Sequence, residues 1–129
     1  MSPDVANDDL AAHARRLLHD VGKYIARTAR NVAEGQLPPD VLRPLLLQDL
    51  YALDGTHKAS ALFHERALPL RAVRDDARLD RVEALLARAD AIEADVRAGE
   101  DHAVLEALAI CREVESTLRA LAADGGGEA

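Results

Sequence analysis

The sequence predicts an all-α fold, and three observations carry the prediction. Apolar residues recur at spacings of three and four along most of the chain. Aromatic residues are only 2% of the total, so Leu, Ala, Val and Ile must build the core. Turn residues are confined to a few short stretches, GQLPP, DGT and Gly99-Glu100 among them. A Leu/Ala alphabet suits close helix packing, and a chain without β-branched or aromatic runs makes a poor sheet. The expected architecture is a compact bundle of four or five helices, with a long N-terminal helix and a C-terminal antiparallel hairpin. One domain covers residues 1–124, followed by a flexible tail at 125–129.

The first helix is expected from a cap at Asp8 or Asp9 to about Glu34. Leu10, Ala14, Leu17, Leu18, Val21, Tyr24, Ile25, Ala29 and Val32 form its stripe. After Gly35 and the GQLPP linker, Asp40 is expected to cap a second helix, VLRPLLLQDLYAL, with Pro44 near its first turn. Leu42, Leu45, Leu46, Leu47, Leu50 and Leu53 wrap most of its circumference, so it reads as the most buried element. A third helix is expected over 57–67, capped by Thr56 and stopped by Leu68-Pro69. His57 and His64 would share one face of it, two turns apart and too far for a common metal ion.

Residues 76–98 and 101–123 read as two helices joined at Gly99-Glu100. Val82, Leu85, Leu86, Ala89, Ile92 and Val96 line the first, and Val104, Leu108, Cys111, Leu118 and Ala122 the second. Ile110, Val114 and Leu121 widen the second stripe beyond what two helices cover on each other, so it must pack on the first helix, on a second copy, or on both. Glu93–Arg97 and Glu115–Arg119 are favourably ordered i,i+4 pairs.

Charge narrows the partners. The net charge is −7, and residues 72–129 carry fourteen acids against seven bases. Arg15, Arg16, Lys23, Arg27 and Arg30 form a short basic strip in which Asp20 is the only acid. An acidic chain with so short a strip and so few aromatics is not expected to bind nucleic acid. No apolar run reaches the length of a membrane span, and MSPDVANDDL lacks the pattern of a signal peptide. A lone cysteine makes no internal disulfide, which fits the cytoplasm. Fourteen arginines against two lysines suggest a GC-rich bacterial genome. Cys111 falls on an apolar stripe, where Glu113 and Glu115 would raise its pKa.

The phrase Leu18-His19-Asp20-Val21-Gly22-Lys23 resembles the H-D-x-G-K signature of HD-domain phosphohydrolases. That resemblance implies His19 and Asp20 as metal ligands for phosphoester hydrolysis. The family's further ligands find no counterpart here. His13 is about 240° round the helix from His19, and Asp49 and Asp54 carry no distinguishing mark. His19 also shares its side of the helix with Arg16, Lys23, Arg27 and Arg30, which disfavours a cation.

The same surroundings suit a phosphoryl group. His19 as phosphoacceptor, with Asp20 holding its tautomer and Lys23 contacting the phosphate, resembles the H-box of kinase dimerisation helices and phosphotransfer carriers. The reading given most weight is a non-enzymatic helical module, binding a protein partner or itself as a homodimer without a cofactor. Its recognition residues would be Arg16, Lys23, Arg27 and Arg30. Gly22, expected on the polar side of the first helix, invites a close neighbouring helix as its explanation.

Overall fold

The computed structural model describes residues 12–22, 25, 27, 28, 38–53, 55–73 and 76–127. Lys23, Arg30, Asp54, the caps at Asp8 and Asp9 and the expected helix end at Glu34 lie outside the described residues. Every regular element within them is helical, so the fold is all-α.

The N-terminal helix α1 is described over residues 12–22. It is α-helical at 12–17 and then passes into a π turn at Leu18–Gly22; Ile25, Arg27 and Thr28 also carry helical backbone. Helix α2 spans Pro39–Tyr51, α3 Ala59–Val73, α4 Ala77–Ala91, α5 Glu93–Arg97 and α6 Asp101–Gly127. Helix α6 packs on α4, α2, α5 and the π turn, while α3 packs on α4, α2 and the π turn. The wide α6 stripe explains this central place: Val104, Leu108, Ile110, Cys111, Val114, Leu118 and Leu121 are all buried.

Several expectations about boundaries are corrected. Helix α2 begins at Pro39, and Asp40 lies in its first turn rather than capping it; the N-cap is Pro38, with no side-chain cap. Pro at N1 costs nothing, since that N–H has no helical acceptor. Pro44 sits beyond the first turn, on the exposed side, where the Asp40 carbonyl it leaves unpaired can reach water. The leucine girdle of α2 is not uniformly buried: Leu42, Leu46 and Leu50 are, whereas Leu45 is 41% exposed.

Helix α3 begins at Ala59, so His57 precedes it and shares no helical face with His64. Its end is also later than expected, because the chain continues helically through Pro69 to Val73. Pro69 is on the solvent side, while Leu70 one residue on is 1% exposed and continues the line of Leu62, Phe63 and Ala67. Arg71 then donates to both Asp80 and Glu83 of α4 at 2.9 Å, which holds the last turn in place. Apolar burial of the following residue outweighs the lost Pro69 bond.

The expected 76–98 helix is two helices. Asp76 caps α4 by accepting from the Arg78 N–H, and the chain breaks at Ile92. Carbonyls in the last turn of a helix lack helical donors, and the buried Tyr51 hydroxyl donates to one of them, Ala89, at 2.5 Å. Arg97 lies over the Tyr51 ring at 5.7 Å. Gly99, with φ of 80°, closes α5 in a Schellman motif: its N–H bonds the Val96 carbonyl and that of Glu100 the Asp95 carbonyl. Helix α6 then runs to Gly127, past the expected end at 123.

The π turn settles the place of Gly22. Expected on the polar flank, it is buried. A Cβ there would meet Leu18 Cδ1 at 2.8 Å and Leu118 Cδ1 of α6 at 3.3 Å. A turn closed by i→i+5 bonds advances less per residue than an α turn. Residues after Leu18 therefore lag, and Gly22 swings toward the apolar stripe. Gly22→Ala can be absorbed by the flexible leucine tips, but Gly22→Leu should cost about 1–3 kcal/mol by overpacking, read as a lower urea midpoint.

Candidate functional site

Asp20 is the junction of the site. Its Oδ2 accepts from Arg66 Nε of α3 at 2.9 Å, and Arg16 Nε stands 3.7 Å from the same oxygen. Its Oδ1 is 3.2 Å from His19 Nδ1. An ionised carboxylate only accepts, so His19 Nδ1 carries the proton in this contact. Partial burial works to raise the Asp20 pKa, but the bonds from His19 and Arg66 and the charges of Arg66 and Arg16 outweigh it. Its carboxyl is held below the ordinary range.

Arg27, read from sequence as part of an exposed strip, is directed elsewhere. Its Nη2 donates to Asp49 Oδ1 at 2.9 Å, and the Thr28 N–H donates to Asp49 Oδ2 at 3.0 Å. Asp49 is 1% exposed on a helix whose other buried residues are leucines and Tyr51. A carboxylate so placed needs a cation and hydrogen bonds to offset its lost hydration.

These pairs frame one open cavity of about 520 Å³, lined by Arg16, His19, Asp20, Arg27 and Arg66 around Leu53 and Leu62. That volume lies within the range of small-ligand sites. The structure thus unites four residues singled out in the sequence, Arg16, His19, Asp20 and Arg27. It adds Arg66, Leu53 and Leu62, which were not foreseen. Arg66 lies one turn beyond Leu62 on α3, and only its place at the edge of that helix's apolar stripe could have hinted at an inward role. Lys23 and Arg30 fall outside the described residues.

The remaining candidates sit as follows. His19 and Asp20 are adjacent, but among the described residues no three His, Cys, Asp or Glu side chains gather into a metal-binding group. Asp49 is committed to Arg27 and Thr28. His57 bonds its neighbour Thr56, and His64 and His102 are exposed. Cys111 is fully buried, and burial, with a smaller effect of Asp49, pushes its thiol pKa up. The expected causes, Glu113 and Glu115, instead pair with Arg81 and Arg119. A thiol so protonated is a core hydrophobe. No family model, curated protein or solved structure matches this chain.

Two measurements test this geometry. Arg27→Glu sets a second carboxylate against buried Asp49 and should cost about 3–5 kcal/mol in chemical denaturation. Arg16→Glu, on a side chain 71% exposed, should stay within about 0.5 kcal/mol of wild type. Because the Asp20 pKa is depressed by folding, its stabilisation is present above the unfolded value of about 3.9 and lost as pH falls through the folded value. Asp20→Asn should therefore lower Tm at neutral pH and narrow the Tm difference between neutral and strongly acidic buffer.

Proposed function

We propose that this chain is a non-enzymatic recognition module, bacterial and cytoplasmic, that binds an acidic protein partner through the cationic cavity between α1 and α3. The observation that carries the reading is the convergence of Arg16, Arg27 and Arg66 on one open cavity floored by Leu53 and Leu62. Arginine around an apolar floor is the composition that dominates interface energetics. Asp49 and Asp20 hold Arg27 and Arg66 before a partner arrives, so little side-chain freedom is lost on binding. Among the described residues Arg16 has no partner within hydrogen-bond distance of its guanidinium, and it supplies an adaptable contact at the rim. No described helix is long and apolar enough to cross a membrane.

A second reading has one specific observation in its favour. His19 is exposed on the wall of the cavity, with Nδ1 oriented by Asp20 and Arg16 on the same wall. That is the arrangement a phosphoacceptor histidine needs.

Capture from the source lysate separates the two. For a recognition module, Arg16→Glu loses the partner and His19→Ala retains it. For a phosphotransfer carrier, His19→Ala also abolishes an acid-labile phosphoryl adduct that wild type carries. Recovery of the chain alone, equally in all variants, would instead indicate self-assembly.

A further inference from the structure

We propose that the α1–α3 cavity is a phosphomonoester site, gripping a phosphoryl group attached to an apolar body. This rests on reading the face as a recognition surface, and it names the group recognised. Among the described residues three arginines line the cavity: Arg27 is committed to buried Asp49, Arg66 bonds Asp20 and Glu65, and Arg16 stands 3.7 Å from Asp20. Both oxygens of Asp20 already accept, from His19 and Arg66, so an incoming anion meets the guanidinium edges of Arg16 and Arg66 rather than an open carboxylate.

Donor geometry points the same way. Arg66 uses Nε on Asp20 and Nη1 on Glu65, so its Nη2 is engaged by neither carboxylate. Arg16 approaches from α1 at 3.7 Å from Asp20, too long for a hydrogen bond. Guanidinium groups arriving from two helices can contact different oxygens of a tetrahedral anion, as planar forks do with phosphate. Leu53 and Leu62 supply an apolar floor that inorganic phosphate alone would leave uncovered. Neither wall needs to be rebuilt for this. The Arg66–Asp20 bond fixes one arginine, and Arg16 moves to meet the ligand.

The test uses the full chain near neutral pH and low salt, titrated separately with phenyl phosphate, inorganic phosphate and benzoate. Calorimetry gives the affinity, and the His19 ring signals in NMR report occupancy of this cavity. Phenyl phosphate is expected to bind more tightly than either other probe, and about tenfold or more above benzoate. Arg16→Gln should weaken it about tenfold, while Arg88→Gln, in the α4–α6 pair with Glu106, should leave it unchanged. Equal binding of benzoate, equal losses in both variants, or no binding at millimolar probe by folded protein would each overturn the proposal.

Competition then identifies the source. Displacement of a captured partner by phenyl phosphate places the phosphoryl group on that partner, and binding without displacement places it on a free small molecule. Both results keep the site. Partner capture without phenyl phosphate binding defeats this inference alone, whereas phosphate binding without any partner defeats the module reading and leaves the site standing.

Discussion

A single buried carboxylate sets the relation between the first helical segment and the rest of the molecule. Asp49 lies on α2 among Leu42, Leu46 and Leu50, all of them buried. Left alone it would destabilise the fold, because transfer of an unpaired charge into such a place is costly. Arg27 and the Thr28 N–H satisfy its two oxygens. Both donors come from one short stretch of the N-terminal segment, so the carboxylate fixes how far that segment slides along α2 and how it is rotated. A leucine at position 49 would favour burial without favouring any one register. The charge specifies an arrangement, and the cavity is a consequence of it, since the guanidinium that answers Asp49 also forms part of the wall.

The π turn at Leu18–Gly22 is the second constraint, and it acts on the same helix from the other end. Gly22 allows α6 to approach closely at Leu118. The lag in helical phase keeps Val21, Gly22 and Ile25 against the core. His19 and Asp20 remain on the outer side of that turn, within reach of Arg66 on α3. Two tertiary contacts of opposite character thus hold the cavity wall, one a close apolar approach and the other a buried ion pair. A cavity held this way is preorganised, which is what a site made of charged side chains needs if binding is not to be spent on ordering them.

Much of this fold was legible from periodicity. The all-α class, the apolar stripes of α4 and α6, the turn at Gly99 and the two i,i+4 pairs follow from local spacing and propensity, and local rules govern them in the structure. The failures share a cause. Pro69 reads as a stop because its backbone penalty is local, whereas burial of Leu70 that overrides it is tertiary. The break at Ile92 is satisfied by Tyr51 from another helix, which no window over 76–98 contains. Gly22 reads as polar-flanking because an α period was assumed through a π turn. The site divides along the same line. His19, Asp20, Arg16 and Arg27 were visible as a motif and a basic strip, but the partners that define their roles, Arg66 and Asp49, are 46 and 22 residues away from Asp20 and Arg27.

Those distant partners change what the basic strip is able to do. As drawn from the sequence, it is a row of equivalent solvated cations, any of which could meet an acidic surface. In the structure the arginines are not equivalent. Arg27 neutralises a buried charge and cannot be reversed in sign without disturbing the core. Arg66 is positioned by Asp20 yet keeps a donor edge, and among the described residues Arg16 is held by nothing closer than Asp20 at 3.7 Å. A ligand approaching the cavity therefore meets one fixed donor and one movable donor above an apolar floor. Attraction at long range depends on the summed charge, but discrimination between anions depends on this division of labour, because a group that fits the fixed donor must also let the movable one close over it.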